Sequence, residues 1–137
     1  MQVEKSFRVQ ISRDDVVERL CDGTTLVSLL PGETEIIASD GDHRTTRTKY
    51  SALGSEGEAT FHFTYLLDGN VRFEKVCDGR IWKRLTGSVN VEKDGGGACV
   101  SIEMEGTTKA FVPELAIKLP LDEQMKSMTD ALRGALQ

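Results

Sequence analysis

Few side chains in this 137-residue chain are of the kinds that carry out acid–base or nucleophilic chemistry. There are two histidines, His43 and His62, whose imidazoles titrate near neutral pH and could serve as general acids or bases. However, His43 follows a predicted hairpin turn, and His62 alternates with the apolar Phe61 and Phe63. Both imidazoles are therefore expected in solvent, with no Ser/His/Asp arrangement around them. The sequence predicts no catalytic residue.

The three cysteines, Cys21, Cys77 and Cys99, are widely spaced and form no Cys-x-x-Cys pair. An odd number of scattered thiols is typical of a reduced cytoplasmic protein rather than of a disulfide framework. With so few imidazoles beside them, no zinc or other metal site is expected, and no cofactor. Glycines 95–97 lack the Lys-Ser/Thr and the strand-to-helix setting of a phosphate-binding loop, so we interpret them as a hairpin loop.

Length and charge restrict the class of protein further. A chain of 137 residues is expected to form one domain, 1–137, with a core of its own. The net charge of −5 argues against a nucleic-acid partner held by phosphate contacts. No apolar run approaches the roughly 20 residues that cross a bilayer, so no integral membrane segment is expected. A weak homodimer is compatible with this composition.

Alternation of apolar and polar residues predicts an antiparallel meander of strands. The dipeptide Asp-Gly, which favours tight turns, occurs five times, and four of its copies lie between strand-like runs. The seven predicted strands cover approximately residues 7–11, 35–39, 43–52, 59–65, 71–73, 81–91 and 100–104.

Helical patterns flank this meander. Ser12 can cap a short helix after the first strand, and Asp22 can cap a second one that Pro31-Gly32 would end. The C-terminal helix is predicted from an apolar stripe at helical spacing, and its core is 122–136. Its start is open, because either Pro113 or Pro120 could occupy the first turn. The stripe consists of Leu121, Met125, Met128, Leu132 and Leu136.

The element order is a strand, two short helices, six further strands and a long terminal helix. The segments 7–20 (FRVQISRDDVVERL), 26–36 (LVSLLPGETEI) and 119–136 (LPLDEQMKSMTDALRGAL) fit this order. On these segments the chain resembles the START-type, birch-pollen-allergen-like superfamily (SRPBCC). The resemblance implies an α+β helix-grip fold, in which a curved seven-stranded antiparallel sheet surrounds a long C-terminal helix.

The resemblance also implies a function class. Members bind lipids, polyketides or other hydrophobic molecules in a cavity between sheet and helix, and some catalyse cyclisation or aromatisation there. The superfamily has no universal catalytic motif, so no catalytic residue is carried over. One helix cannot fully cover seven strands, which makes such a cavity geometrically reasonable.

Strand parity and the helical stripe predict which side chains would line this cavity. Methionines suit it because they are flexible and polarizable, while Lys75 and Tyr50 could orient the polar end of a ligand. The segment from Leu26 to Pro31 and the start of the terminal helix would form the mouth. The predicted lining residues are Tyr50, Phe61, Phe63, Tyr65, Phe73, Lys75, Trp82, Ile102, Met104, Met125 and Met128.

The hairpin at Asp78-Gly79 allows two registers. A two-residue loop would place Lys75 opposite Trp82 and Phe73 opposite Arg84. A three-residue loop would instead pair Phe73 with Leu85 and bring Lys75 beside Lys83.

Three functions follow as hypotheses. The first is binding of a lipid-like or other hydrophobic small molecule. The second is a polyketide cyclase or aromatase, for which the interior offers few ionisable groups. The third is a protein-interaction module with a collapsed cavity, anchored on Trp82 and on a solvated basic face of Arg44, Arg47 and Lys49. An exposed Trp82 would favour this third hypothesis.

Overall fold

The structure is a computed structural model that describes residues 1–23, 25, 33–52, 55–77 and 81–136, without the side chains of 50–52 and 55. Within these ranges it contains seven strands and two α-helices of eight residues or more. The strands are β1 (Gln2–Val9), β2 (Glu33–Asp40), β3 (His43–Ala52), β4 (Ser55–Tyr65), β5 (Val71–Lys75), β6 (Trp82–Asp94) and β7 (Gly97–Thr108). The helices are α1 (Arg13–Leu20) and α2 (Glu114–Ala135).

All seven strands form one antiparallel sheet in the order β1-β7-β6-β5-β4-β3-β2. Every strand therefore pairs with its neighbour in sequence, except that β1 closes onto β7. Three of the predicted Asp-Gly turns contain a glycine with positive φ, namely Gly41, Gly69 and Gly95, as a tight turn requires. The sheet and its long terminal helix confirm the predicted helix-grip architecture.

Helix α1 begins as its sequence predicts. The Ser12 side chain accepts a hydrogen bond from the Asp15 backbone N–H at 3.2 Å, and Asp14 and Asp15 lie at the positive end of the helix dipole. Val16 and Leu20 are buried. The predicted second short helix falls on residues outside the described ranges.

Of the two possible starts of the C-terminal helix, the structure shows the earlier one. Pro113 is the N-cap residue, and the helix continues through Pro120 to Ala135. Leu115, Ile117 and Leu119 alternate along the sequence as in a strand, yet all three lie within the helix. The predicted stripe is confirmed, since Leu121, Met125, Met128, Leu132 and Leu136 are all buried.

The helix lies along β1 and β7, at one side of the sheet. At its start, the Met1 ammonium group is 3.7 Å from a carboxylate oxygen of Glu114. Near its end, the Arg133 guanidinium lies over the Phe7 ring at 5.2 Å from the centroid. Both ends of α2 thus contact the first strand or its terminus.

Both predicted registers of the β5–β6 hairpin are wrong. Phe73 pairs with Gly87, so neither Arg84 nor Leu85 lies opposite it, and the Lys75–Lys83 pairing does not follow. The physical reason is packing, because the Phe73 ring occupies the space above Gly87. A Cβ atom added at Gly87 would lie 2.3 Å from Phe73 Cζ and 2.5 Å from the Glu103 carbonyl oxygen.

This contact gives a test of the register. Gly87→Ala should lower the free energy of unfolding by about 1–3 kcal/mol, because both the ring and the β7 backbone must move. Gly134→Ala is the matched control, since a Cβ there meets nothing within 4 Å and helix propensity favours alanine. Urea unfolding of both variants measures the difference. A Gly87→Ala variant as stable as the parent would contradict the packing argument.

Candidate functional site

The predicted lining residues gather on one face of the sheet, beneath and beside α2. Eight of them are buried: Phe61, Phe63, Phe73, Trp82, Ile102, Met104, Met125 and Met128. Tyr65 and Lys75 are partly buried on the same face. Tyr50 pairs with Gly57 in the sheet, and its side chain lies outside the described part.

Three phenylalanines form an aromatic cluster on the inner face of β4 and β5. The Phe63 and Phe73 ring centroids are 5.6 Å apart, and Phe61 lies 6.3 Å from each of them. These distances are within the range at which aromatic pairs attract one another. The cluster therefore forms a continuous apolar surface on β4 and β5, and all three rings are buried.

Two glycines allow large rings to lie close to the sheet. Phe73 lies over Gly87, and a Cβ added at Gly106 would be 2.6 Å from Cζ3 of Trp82. Because each ring occupies the place of a missing side chain, it rises less far from the backbone. Sequence reasoning did not find these glycines, since their partners are on neighbouring strands.

Trp82 is only 7% exposed. It follows the β5–β6 connection, where a β-bulge between Trp82 and Arg84 shifts the register against β7. The bulge turns Trp82 onto the inner face together with Leu85, although their spacing of three does not fit strand alternation. Its burial removes the exposed aromatic anchor on which the interaction-module hypothesis depended.

The basic run in β3 does not form one solvated face. Arg47 donates to Glu35 at 2.7 Å, and this hydrogen bond and charge lower the pKa of the Glu35 carboxyl. Lys49 pairs across the strands with Glu33. Arg44 has the opposite parity, and its guanidinium lies 5.6 Å from the centroid of the Tyr65 ring. The predicted basic face of Arg44, Arg47 and Lys49 is therefore wrong.

The outer face of β2 and β3 carries both acidic and basic side chains. A shallow cavity of about 260 Å³ lies there, and its lining residues are Glu33, Thr34, Glu35, Arg47 and Lys49. Arg47 and Glu35 form an ion pair, and the two acidic and two basic side chains that line this cavity carry no net charge with which to attract a charged ligand. None of the predicted ligand-binding residues lines it.

A second cavity of about 170 Å³ lies at the far end of the sheet, between α1 and the β4–β5 turn. Tyr65 is the one predicted lining residue that borders it. The Tyr65 hydroxyl donates to the Leu20 carbonyl oxygen at 3.0 Å. Burial raises the pKa of Tyr65, with a smaller effect from Cys21 in the same direction. This hydroxyl is thus neutral and holds α1 to the sheet, which makes it poorly suited to acid–base work.

The histidines and acidic side chains in the described ranges form no further candidate site. His43 and His62 are exposed, as predicted, and their Nδ1 atoms are within hydrogen-bond distance of Thr64 and Thr45. Within the described ranges, no three His, Cys, Asp or Glu side chains are grouped so as to hold a metal ion. No helix among the described residues is long and apolar enough to cross a membrane.

Threonines on the inner face of β3 are the polar feature that sequence reasoning missed. Thr46 and Thr48 are buried, and Thr48 Oγ1 is 2.7 Å from Thr34 Oγ1. The Thr46 hydroxyl is fully buried and has no hydrogen-bond partner among the described residues. Thr46 and Thr48 alternate with Arg47 along β3, and this alternation was the sequence signal that could have identified them as inward-facing.

One row of side chains crosses the inner face at this level. Thr46 on β3 pairs with Phe61 on β4, and Phe61 pairs with Lys75 on β5. Neighbouring strands are about 4.8 Å apart, so the Thr46 and Lys75 backbones are separated by roughly 10 Å. A neutral polar group and a cationic group thus flank one aromatic ring.

Apolar side chains are exposed at the end of the sheet where α2 begins. Leu115 is 85% exposed and Leu119 is 67% exposed, although the second half of the same helix is buried. Phe111, just before the helix, is also exposed. We call these three residues the apolar rim.

Comparisons with known proteins bear on the fold. No protein-family model matches the chain, and no curated protein sequence matches it. Among solved structures, the Zhui aromatase/cyclase from Streptomyces sp. R1128 is similar with a TM-score of 0.77 at 16% identity, covering 99% of this chain and 90% of that one. A START superfamily protein from Mycobacterium smegmatis has a TM-score of 0.77 at 17% identity, covering 98% and 96%.

A STAR-related lipid transfer protein from Xanthomonas axonopodis is also similar, with a TM-score of 0.70 at 20% identity, covering 98% of this chain and 85% of that one. These similarities extend over nearly the whole chain in each case. Together with the sheet order and the terminal helix, they establish the helix-grip fold of the START and birch-pollen-allergen type. At such low identities they establish the fold alone.

The unpartnered hydroxyl has a measurable consequence for stability. Thr46→Val should raise the free energy of unfolding by about 1 kcal/mol, because it removes a buried hydroxyl that makes no hydrogen bond in the described structure. Thr48→Val is the matched control on the same strand and face. It should lower the free energy of unfolding by about 1 kcal/mol, because it breaks the hydrogen bond with Thr34.

Chemical denaturation of the two variants against the parent measures both effects. A loss of stability in Thr46→Val as large as that in Thr48→Val would show that the Thr46 hydroxyl is in fact satisfied.

Proposed function

We propose that this protein binds a lipid-like or other hydrophobic small molecule, without a covalent bond, between the inner face of the sheet and α2. The observation that carries the proposal is the aromatic cluster of Phe61, Phe63 and Phe73 beside α2. Its three rings lie on β4 and β5 and belong to the same buried core as Met125 and Met128 of α2. Methionine side chains are flexible and can repack around a guest.

The apolar rim is the proposed mouth. Leu115 and Leu119 belong to the first turns of α2, where the helix is not buried against the sheet. Exposed apolar side chains in a cluster are unfavourable in water and typically mark a place where an apolar partner binds. A ligand that entered here would contact the rim first and the aromatic cluster next. The segment from Leu26 to Pro31, expected to share in this mouth, lies outside the described residues.

The affinity would come mainly from burial of apolar surface. Each Å² removed from water contributes about 25 cal/mol, and the ordering of ligand and side chains opposes this gain. Polar contacts then orient the ligand more than they hold it. Lys75 is the candidate for an anionic head group, because it is partly buried, shares the inner face and pairs with Phe61. Tyr50 is a second proposed polar contact.

The support for catalysis is weaker. The similarity to the Zhui aromatase/cyclase concerns the fold. A cyclase would need an acid or base among the aromatic side chains. The described inner face offers Lys75, the Arg44 guanidinium over the Tyr65 ring, and a Tyr65 hydroxyl that already donates to the Leu20 carbonyl. Simple binding requires none of these groups to transfer a proton.

Filling the interior tests the location of the site. Met125→Trp should abolish uptake of a dansyl-labelled undecanoate, measured by dansyl fluorescence, because the larger side chain takes the space of the ligand. Lys126→Trp is the matched control, since it adds the same bulk at an exposed position of the same helix. Far-UV circular dichroism and a cooperative thermal transition establish that both variants are folded. Uptake by folded Met125→Trp at the parent affinity would place the ligand elsewhere.

The role of Lys75 is tested by charge. Lys75→Met should weaken binding of the dansyl-labelled acid about fivefold and leave its methyl ester unaffected, because a partly exposed ion pair contributes about 1 kcal/mol. Lys83→Met, at an exposed position of β6, should change neither affinity. Equal affinity of the parent protein for acid and ester would exclude this role for Lys75.

A further inference from the structure

The inner face contains a polar group that neither the fold nor the proposed apolar binding requires. Thr46 is fully buried, and within the described ranges its hydroxyl forms no hydrogen bond. Buried hydroxyls in folded proteins nearly always have a partner, because a hydroxyl removed from water without one is costly. A valine would fill the same space without that cost. A polar atom of a bound molecule would therefore supply the hydrogen-bond partner that the Thr46 hydroxyl lacks among the described residues.

The other buried threonines that the structure describes all have interaction partners. Thr48 is within hydrogen-bond distance of Thr34, and Thr129 donates to the Met125 carbonyl oxygen at 2.8 Å. Thr25 also has a partner. Among the buried polar side chains that the structure describes, Thr46 thus differs from the rest in lacking one.

The surroundings of Thr46 define where that partner would lie. Thr46 pairs with Phe61, so both side chains project from the same face of the sheet, and Phe61 contacts Phe63 and Phe73. The hydroxyl is therefore at the edge of the aromatic cluster. Because these rings and Thr46 are buried, a molecule would reach them by displacing the side chains packed over them, and its own atoms would then lie next to Oγ1 of Thr46.

Burial restricts the charge of the partner atom. The buried polar side chains in the described ranges are all threonines, and no ionisable side chain is among them. The cations on the inner face of β3 to β5, Arg44 and Lys75, are both partly exposed, and the Arg44 guanidinium donates to the Gly41 and His43 carbonyl oxygens. An anionic oxygen beside Thr46 would therefore have no cation at its own depth to offset its lost hydration. A charged group fits Lys75, which is partly exposed, whereas a neutral oxygen fits Thr46.

We infer that the ligand is an oxygenated apolar molecule, and that Thr46 donates a hydrogen bond to a neutral carbonyl, ester or hydroxyl oxygen placed on the aromatic cluster. This inference rests on the proposed function, which by itself requires only an apolar ligand. It narrows the ligand class from hydrocarbons in general to those with a neutral oxygen along an apolar body. It also makes Thr46 a residue that determines specificity.

The test uses two neutral probes of equal size, the β-isomers of acetylnaphthalene and isopropylnaphthalene. They differ in that a carbonyl oxygen of the first replaces a methyl group of the second. Equilibrium dialysis against the parent protein and Thr46→Val gives four affinities. The ratio of ketone to hydrocarbon affinity should fall about three- to tenfold in Thr46→Val, which corresponds to one net hydrogen bond. Thr46→Ser, which retains the hydroxyl, should keep most of the parent ratio.

The outcomes separate the two claims. If both probes bind the parent and the ratio is the same in Thr46→Val, the role of Thr46 is excluded while the proposed apolar binding stands. If neither probe binds the parent, both claims are overturned. A ratio that falls in Thr46→Val and recovers in Thr46→Ser supports the hydrogen bond, because a purely structural effect of valine would weaken both probes alike. The Thr46→Val variant should fold, since valine has the same shape as threonine.

Discussion

The packing of α2 along β1 and β7 is the constraint on which the rest of this molecule depends. The buried stripe from Leu121 to Leu132 fixes the second half of the helix to one side of the sheet. The aromatic side chains on β4 and β5 belong to the same buried core as this stripe. They pack against each other, and Met125 and Met128 of α2 are buried in that core as well. Methionine side chains are flexible, so this part of the core can repack more readily than one made of branched or aromatic side chains alone.

Two glycines in the sheet lie directly beneath large aromatic side chains. Phe73 lies over Gly87 and Trp82 lies over Gly106, so two of the largest side chains take up less height above the backbone. The Phe73–Gly87 contact lies between β5 and β6, and the Trp82–Gly106 contact lies between β6 and β7. A shift of either strand pair would bring a side chain into the space that the ring occupies.

Polar groups are distributed by depth. Arg47 and Glu35 form an ion pair on the outer face, and the inward-facing Arg44 and Lys75 are only partly buried. The described interior holds neutral hydroxyls alone. This gradient follows from the cost of moving a charge out of water, which is much larger than that of moving a hydroxyl. A ligand matched to it would be apolar in the middle, with a neutral oxygen inside and any charge near the surface.

The sequence by itself determined the element order, the inward parity of Phe61, Phe63 and Met104, and the buried stripe of α2. These follow from repeats of two and about 3.6 residues, which are properties of a single chain segment. Tertiary structure alone decided the register at Phe73, the inward turn of Trp82 at its bulge, and the isolation of the Thr46 hydroxyl. Each of these depends on which atoms of a neighbouring strand occupy a given space, and that neighbour is distant in sequence. Local periodicity carries no information about such contacts, because they are selected by packing after the strands have met.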